Sequence, residues 1–198
     1  MQTDSLLPLA LFALVTSISP GPSNLMLLAS GATYGVRRTV PLLAGITTGF
    51  LSVLIAVGLG IGALLAAVPA LRLVLNAAGA VYLVYLAWRI GTARSVGAAP
   101  AGSERPIGFL EAAGFQWLNP KAWAVAGTTM ALHARPESPL ASVAAVALVF
   151  GLVNLPALAT WILSGMALRR LLADPVRLKW FNIAMAVVLV ATLVPLLG

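Results

Sequence analysis

Proline inside apolar runs long enough to span a bilayer constrains this chain most. Ser19-Pro20-Gly21-Pro22-Ser23-Asn24 lies within an apolar run that begins at Leu6 and continues past Leu28. About 20 apolar residues cross a bilayer as one helix. Proline has no N–H and clashes with the preceding turn, so two prolines and a glycine break that helix mid-run. Ser19 is a favourable N-cap and Pro20 suits a first helical position, which predicts a new half-helix starting there. Its free N–H groups then point at the middle of the membrane. About 100 residues later, Phe115-Gln116-Trp117-Leu118-Asn119-Pro120-Lys121 repeats the device, with Asn119 as N-cap and Pro120 in the first turn. Each half-helix N-terminus carries about half a positive charge, and Lys121 adds a full one beside the second.

The chain has 198 residues, 61% apolar and 9% charged, with a mean hydropathy of +1.01. A soluble domain is about a quarter charged and under half apolar, so the composition predicts an all-α polytopic membrane protein. At about 20–25 residues per span, the length allows about six helices. There is no cysteine, which excludes disulfides, thiol redox chemistry and cysteine metal sites. The one histidine, His133, has no acidic or second histidine neighbour and reads as an interfacial residue, so no metal or other cofactor is expected. The net charge of +7 reflects loop residues on one side of the membrane rather than a nucleic-acid surface. Residues 1–5 carry Asp4 and no basic residue, unlike a signal peptide, so the first helix is expected to be retained.

The expected organisation is a single membrane domain over 1–198, with repeat one at 1–91, a linker at 92–105 and repeat two at 106–198. Spans are predicted at about 6–29 (broken at 19–22), 41–65, 72–89, 107–132 (broken at Asn119-Pro120), 140–163 and 180–197. A turn is read at 31–39, another at 134–139, and a basic connection at 169–179. The connections after spans one, three and five hold Arg37, Arg38, Arg89, Arg94, Arg105, Arg169, Arg170, Arg177 and Lys179. The opposite side holds Arg72 and Arg135. The positive-inside rule puts the first group in the cytoplasm and both termini outside. If the first span were re-entrant, the N-terminus would lie in the cytoplasm instead. Three spans per half make the second half enter in the opposite sense. Two broken helices in corresponding positions then meet near mid-depth, the pattern of transporters built from inverted repeats, and their N-termini favour an anion.

Lys121 is a charge within a span, a functional residue by default. Glu111, about 15 Å earlier if helical, reads as an interfacial residue capping the start of span four, with a proton carrier as the alternative. Asn24 follows the first break, and Asn154-Leu155-Pro156 interrupts span five; a buried asparagine in lipid needs partners. Glycines four apart (Gly31 and Gly35, Gly45 and Gly49, Gly58 and Gly62) read as close helix contacts. Thr47 and Thr48, between Gly45 and Gly49, either face a cavity or bond back to their own helix. Trp88 and Trp180 read as belt aromatics, Trp117 and Trp123 flank the second break, and Trp161 reads as packing.

These residues together resemble the lysine exporter / homoserine-threonine resistance (LysE/RhtB) family of bacterial amino-acid exporters. The resemblance rests on Pro20-Gly21-Pro22 followed by Asn24, the Tyr34-Gly35-Val36-Arg37-Arg38 turn, Gly45 to Gly49, Ala78-Gly79-Ala80-Val81-Tyr82-Leu83, and Phe115 through Ala122. It covers essentially the whole chain. It implies a bacterial inner-membrane protein and gradient-driven export of small amino acids from the cytoplasm, with broken first and fourth helices lining the path. The candidate substrate-binding set is Ser19, Pro20, Gly21, Pro22, Asn24, Gly45, Thr48, Gly49, Asn119, Pro120, Lys121 and Asn154. Phe50 stands where many members carry an acidic residue, which removes support for an acid-built proton or cation site and for a strongly cationic substrate. A zwitterion fits better: Lys121 and the helix N-termini suit a carboxylate, while freed carbonyls, Asn24 or Asn154 suit an ammonium. A coupling proton and a homodimer are both compatible with the sequence. The alternatives are an exporter or channel for another solute or a metal cation, a membrane-complex subunit, and an intramembrane enzyme. The last finds no nucleophile–base pair, metal cluster or acid pair, so no catalytic residue is assigned.

Overall fold

A computed structural model describes residues 6–92, 106–135 and 137–192, and these are helical throughout apart from short connections. The first apolar run forms α1 (Leu6–Ile18) and α2 (Pro22–Tyr34), bent by 58° at the break. Then follow α3 (Val36–Gly58), the short α4 (Ile61–Ala67) and α5 (Pro69–Thr92). The second half gives α6 (Phe109–Leu118), α7 (Pro120–His133), α8 (Pro139–Leu168) and, after a 3-10 turn at Leu171–Ala173, α9 (Pro175–Ala191). Most of the predicted linker, with Arg94 and Arg105, lies outside the described residues, as does the end of the predicted sixth span.

Among the described residues, three helices are individually long and apolar enough to cross a membrane: Val36–Gly58, Leu73–Thr92 and Pro139–Leu168. The bent α1–α2 pair makes a fourth if it is one span. Exposed leucines and valines on α1, α5, α8 and α9 form the outward faces, as expected where lipid replaces water. By contrast α2 is buried on nearly every side, from Pro22 to Thr33. It is the central element of the bundle.

Several boundaries differ from the sequence expectation. The turn expected over 31–39 contracts to Gly35, whose φ of 77° only glycine adopts without cost. The span expected over 41–65 ends at Gly58, and Gly60 at φ 102° separates α4 from it. Pro156 does not interrupt span five: α8 runs unbroken through it. A membrane helix tolerates one missing N–H where neighbours re-satisfy the freed carbonyl. Pro41 is accommodated inside α3 in the same way.

Each half-helix packs on the long helix of the other half. α1 and α2 lie against α8, and α6 and α7 lie against α3. α3 packs on α8, and α5 on α9. This crossed arrangement brings the two breaks together in the middle of the bundle.

Candidate functional site

The first break is not built as the sequence suggested. Gly21, not Ser19, is the N-cap residue of α2, and Pro22, not Pro20, opens the helix. A residue before proline is driven to extended backbone, and Gly21 sits at φ −172° and ψ 173°. The Ser19 hydroxyl instead donates back to Thr16 O at 3.0 Å and finishes α1. α2 has no side-chain cap, and its first backbone bond runs from Leu25 N to Gly21 O. The N–H groups of Ser23 and Asn24 therefore have no acceptor among the described residues.

The loose carbonyls at the end of α1 are taken from elsewhere. Asn24 Nδ2 donates to Ser17 O at 2.8 Å and to Ser19 O at 2.9 Å. Lys121, from the other half, donates from Nζ to Ser19 O at 2.6 Å, Ser19 Oγ at 2.8 Å and Pro20 O at 3.4 Å. A cation at a helix C-terminus is favourable for the same reason an anion suits an N-terminus. Gly21 makes this approach possible, since a Cβ there would lie 2.8 Å from Lys121 Cδ.

The second break has the predicted form. Asn119 is the N-cap, its Oδ1 accepting from Lys121 N at 3.1 Å, and Pro120 opens α7. Asn119 N donates to Gln116 O, and Trp123 Nε1 donates to Trp117 O at 2.7 Å. A buried polar network crosses between the breaks. Gln116 Nε2 donates to Ser23 Oγ at 3.0 Å, and Asn119 Nδ2 donates to Ser23 Oγ at 3.2 Å and to Gln116 Oε1 at 3.3 Å. Ser23 and Gln116 were absent from the sequence-based set. Gln116 carried a signal, because it lies three residues before Asn119 on the same helical face.

Between the breaks lies a cavity of about 50 Å³. Thr16, Ser17, Gly21, Ser23 and Asn24 line it from the first half, and Gln116, Asn119, Lys121 and Asn154 from the second. Ile46, Phe50, Phe150 and Leu158 supply apolar walls. Lys121 is the one formally charged residue among the lining residues, and none is acidic. The volume corresponds to about four waters.

Of the sequence-predicted residues, Gly21, Asn24, Asn119, Lys121 and Asn154 line this cavity, and Ser19 anchors Lys121. Pro22 is buried in the α2 first turn, Pro120 opens α7, and Pro20 is exposed on the outer side of the break. Gly45, Thr48 and Gly49 stand apart. Gly45 and Gly49 receive α6: a Cβ on Gly45 would meet Phe109 O, and one on Gly49 would meet Ala113 O at 2.6 Å. The Thr48 hydroxyl is exposed and donates to Ala44 O of its own helix at 2.8 Å. Glu111 lies in the first turn of α6 and pairs with Arg89 at 2.7 Å, away from the cavity.

The family profile for the LysE type translocator matches residues 14–197. The chain belongs to this family. It is therefore a transporter rather than an enzyme. It is 31% identical over 181 residues to the cysteine/O-acetylserine efflux protein of Escherichia coli (strain K12), covering 90% of each chain. It is 30% identical over 165 residues to the protein of the same name from Salmonella typhimurium, covering 80% of this chain and 81% of that one. No solved structure matches the chain.

Proposed function

We propose that this protein is a secondary exporter of small neutral amino acids, or close derivatives, driven by the membrane gradient. The observation that carries this is the cavity between two broken helices, lined from both halves and free of acidic side chains. A zwitterion brings its own pair of charges, so it suits a site made of helix ends and neutral amides. The relatives are named for efflux of cysteine and O-acetylserine, both amino acids without a net side-chain charge. A metal cation is poorly served, because such ions seek carboxylates or imidazoles that the lining does not offer.

Transport would follow from alternating exposure of the cavity. The crossed packing, α1 and α2 on α8, α6 and α7 on α3, supports two inverted three-helix repeats within six spans. Arg37, Arg38 and Arg170 are exposed, and Arg169 reaches back to within 3.4 Å of a Cβ placed on Gly35. The basic start of α3 and the basic end of α8 therefore share one side, in keeping with a cytoplasmic face and external termini in a bacterial inner membrane.

The test is efflux from cells preloaded with labelled amino acids, with and without the protein. Faster loss of cysteine and other small neutral amino acids is expected. The reading falls if no amino acid leaves faster while the protein is present in the membrane. Repeating the measurement with a protonophore separates proton antiport from coupling to another ion.

A further inference from the structure

The proposal concerns how the substrate is held, and it rests on the exporter reading above. Every hydrogen-bonding group around the cavity can be asked whether the protein already uses it. Most are used. Lys121 Nζ spends its donors on Ser19 and Pro20, and Asn24 Nδ2 spends both hydrogens on Ser17 O and Ser19 O. Thr16 donates back to its own helix. Ser23, Gln116 and Asn119 satisfy one another. The N-terminus of α7 is closed by Asn119 Oδ1.

Few polar groups remain uncommitted among the described residues. Two are the first-turn N–H groups of Ser23 and Asn24 in the 13-residue helix α2. The others are the Asn154 amide, the Asn24 Oδ1 and the Ser17 hydroxyl. Asn154 is the sharpest case. It is 5% exposed, lines the cavity, and neither of its amide atoms has a partner. Its amide opens onto the cavity rather than into the protein, so it is free to meet whatever fills that space. The two backbone donors sit on one helix N-terminus, where negative charge is favoured. The side-chain oxygens of Ser17, Asn24 and Asn154 lie on α1, α2 and α8 and can accept.

We propose that the α2 N-terminus holds the substrate carboxylate and that Asn154, with Asn24 Oδ1 and the Ser17 hydroxyl, holds its ammonium. Lys121 is then a bridge between the two halves and not a ligand, despite being the one cation in the cavity. Specificity for zwitterions follows, because the carboxylate is met by neutral backbone N–H groups and the ammonium by neutral side-chain oxygens. An ammonium-free or carboxylate-free analogue leaves one end of the site unpartnered.

The purified full-length protein tests this in detergent and in proteoliposomes. Alanine at millimolar concentration should raise the melting temperature of wild type and of Lys121→Ala, while Asn154→Leu should show no shift. In proteoliposomes, Asn154→Leu should raise the KM for labelled cysteine, kept reduced, by about tenfold or more. Asn154→Asp should move competition toward the cation alaninamide and away from the anion N-acetylalanine by about tenfold, since charge-assisted bonds are roughly twice as strong. An alanine shift that survives in Asn154→Leu, or is lost in Lys121→Ala while that variant remains folded, overturns the assignment. If Lys121→Ala does not fold, the Leu and Asp variants at Asn154 decide alone. Active wild type with an unaltered Asn154→Leu removes this inference only, whereas wild type that moves no amino acid removes the exporter reading.

Discussion

The two helix breaks look alike in sequence and are closed in opposite ways. The second is self-contained: Asn119 caps α7, and Trp123 covers the carbonyl of Trp117. The first is not. Its α1 carbonyls are closed by Asn24 and by a lysine from the other half, and its α2 N–H groups are left open. A break closed by its own residues is stiff. One closed across the repeat boundary can change when the halves move. The difference makes the first break, bent by 58°, the one whose α1 end is held from the other half.

Removing Lys121 strikes that difference hardest. Lys121→Ala is expected to bring export to background while membrane levels stay normal, as read by efflux and immunoblot. Export near wild type would mean that the first break closes without the other half. Gly21→Ala should come next, because its Cβ needs the space of the Lys121 side chain. It is expected to lower export about tenfold, and adding it to Lys121→Ala should cost nothing further, since both act on one contact. Additive losses would separate the two residues.

Asn119→Ala addresses the stiff break. It removes a cap worth ~1 kcal/mol and two donors of the Ser23–Gln116 network, so the melting temperature should drop more than export does. Asn119→Ser should recover part of the loss. The smallest effect is expected from Asp174→Ala. Asp174 caps α9 through Val176 N and Arg177 N, the same device placed at the surface. Those N–H groups, Arg177 first, hold its carboxyl below the usual carboxylate range. A depressed folded-state pKa contributes stability above the unfolded value near 4 and loses it as pH falls. The variant should therefore melt slightly lower at neutral pH and match wild type in strong acid, with export unchanged.

Both breaks were legible in the sequence because proline acts locally. Asn119-Pro120 worked out as read, since cap and first turn are adjacent in the chain. Ser19 was misread because Pro20 and Pro22 both suit a helix start; the deciding signal is local, since Pro22 drives Gly21 to extended backbone and no helix can run from Pro20 through it. Gly45 and Gly49 show a limit of another kind. Their spacing announces a close approach but not whether a helix or a cavity fills it, and here α6 does. The partners of Asn24 and Lys121, and the lack of one at Asn154 among the described residues, are tertiary facts. Spacing could show that these side chains lie inward, but not which of their atoms the protein itself uses up.

Lys121 has an electrical consequence. A zwitterion carries no net charge, so the membrane potential does no work in moving it. The potential does act on the lysine ammonium, since a unit charge crossing the full field changes energy by ~2.3 kcal/mol per 100 mV. In the proposed exporter the voltage would therefore act on Lys121, which joins the two breaks, and leave the cargo untouched.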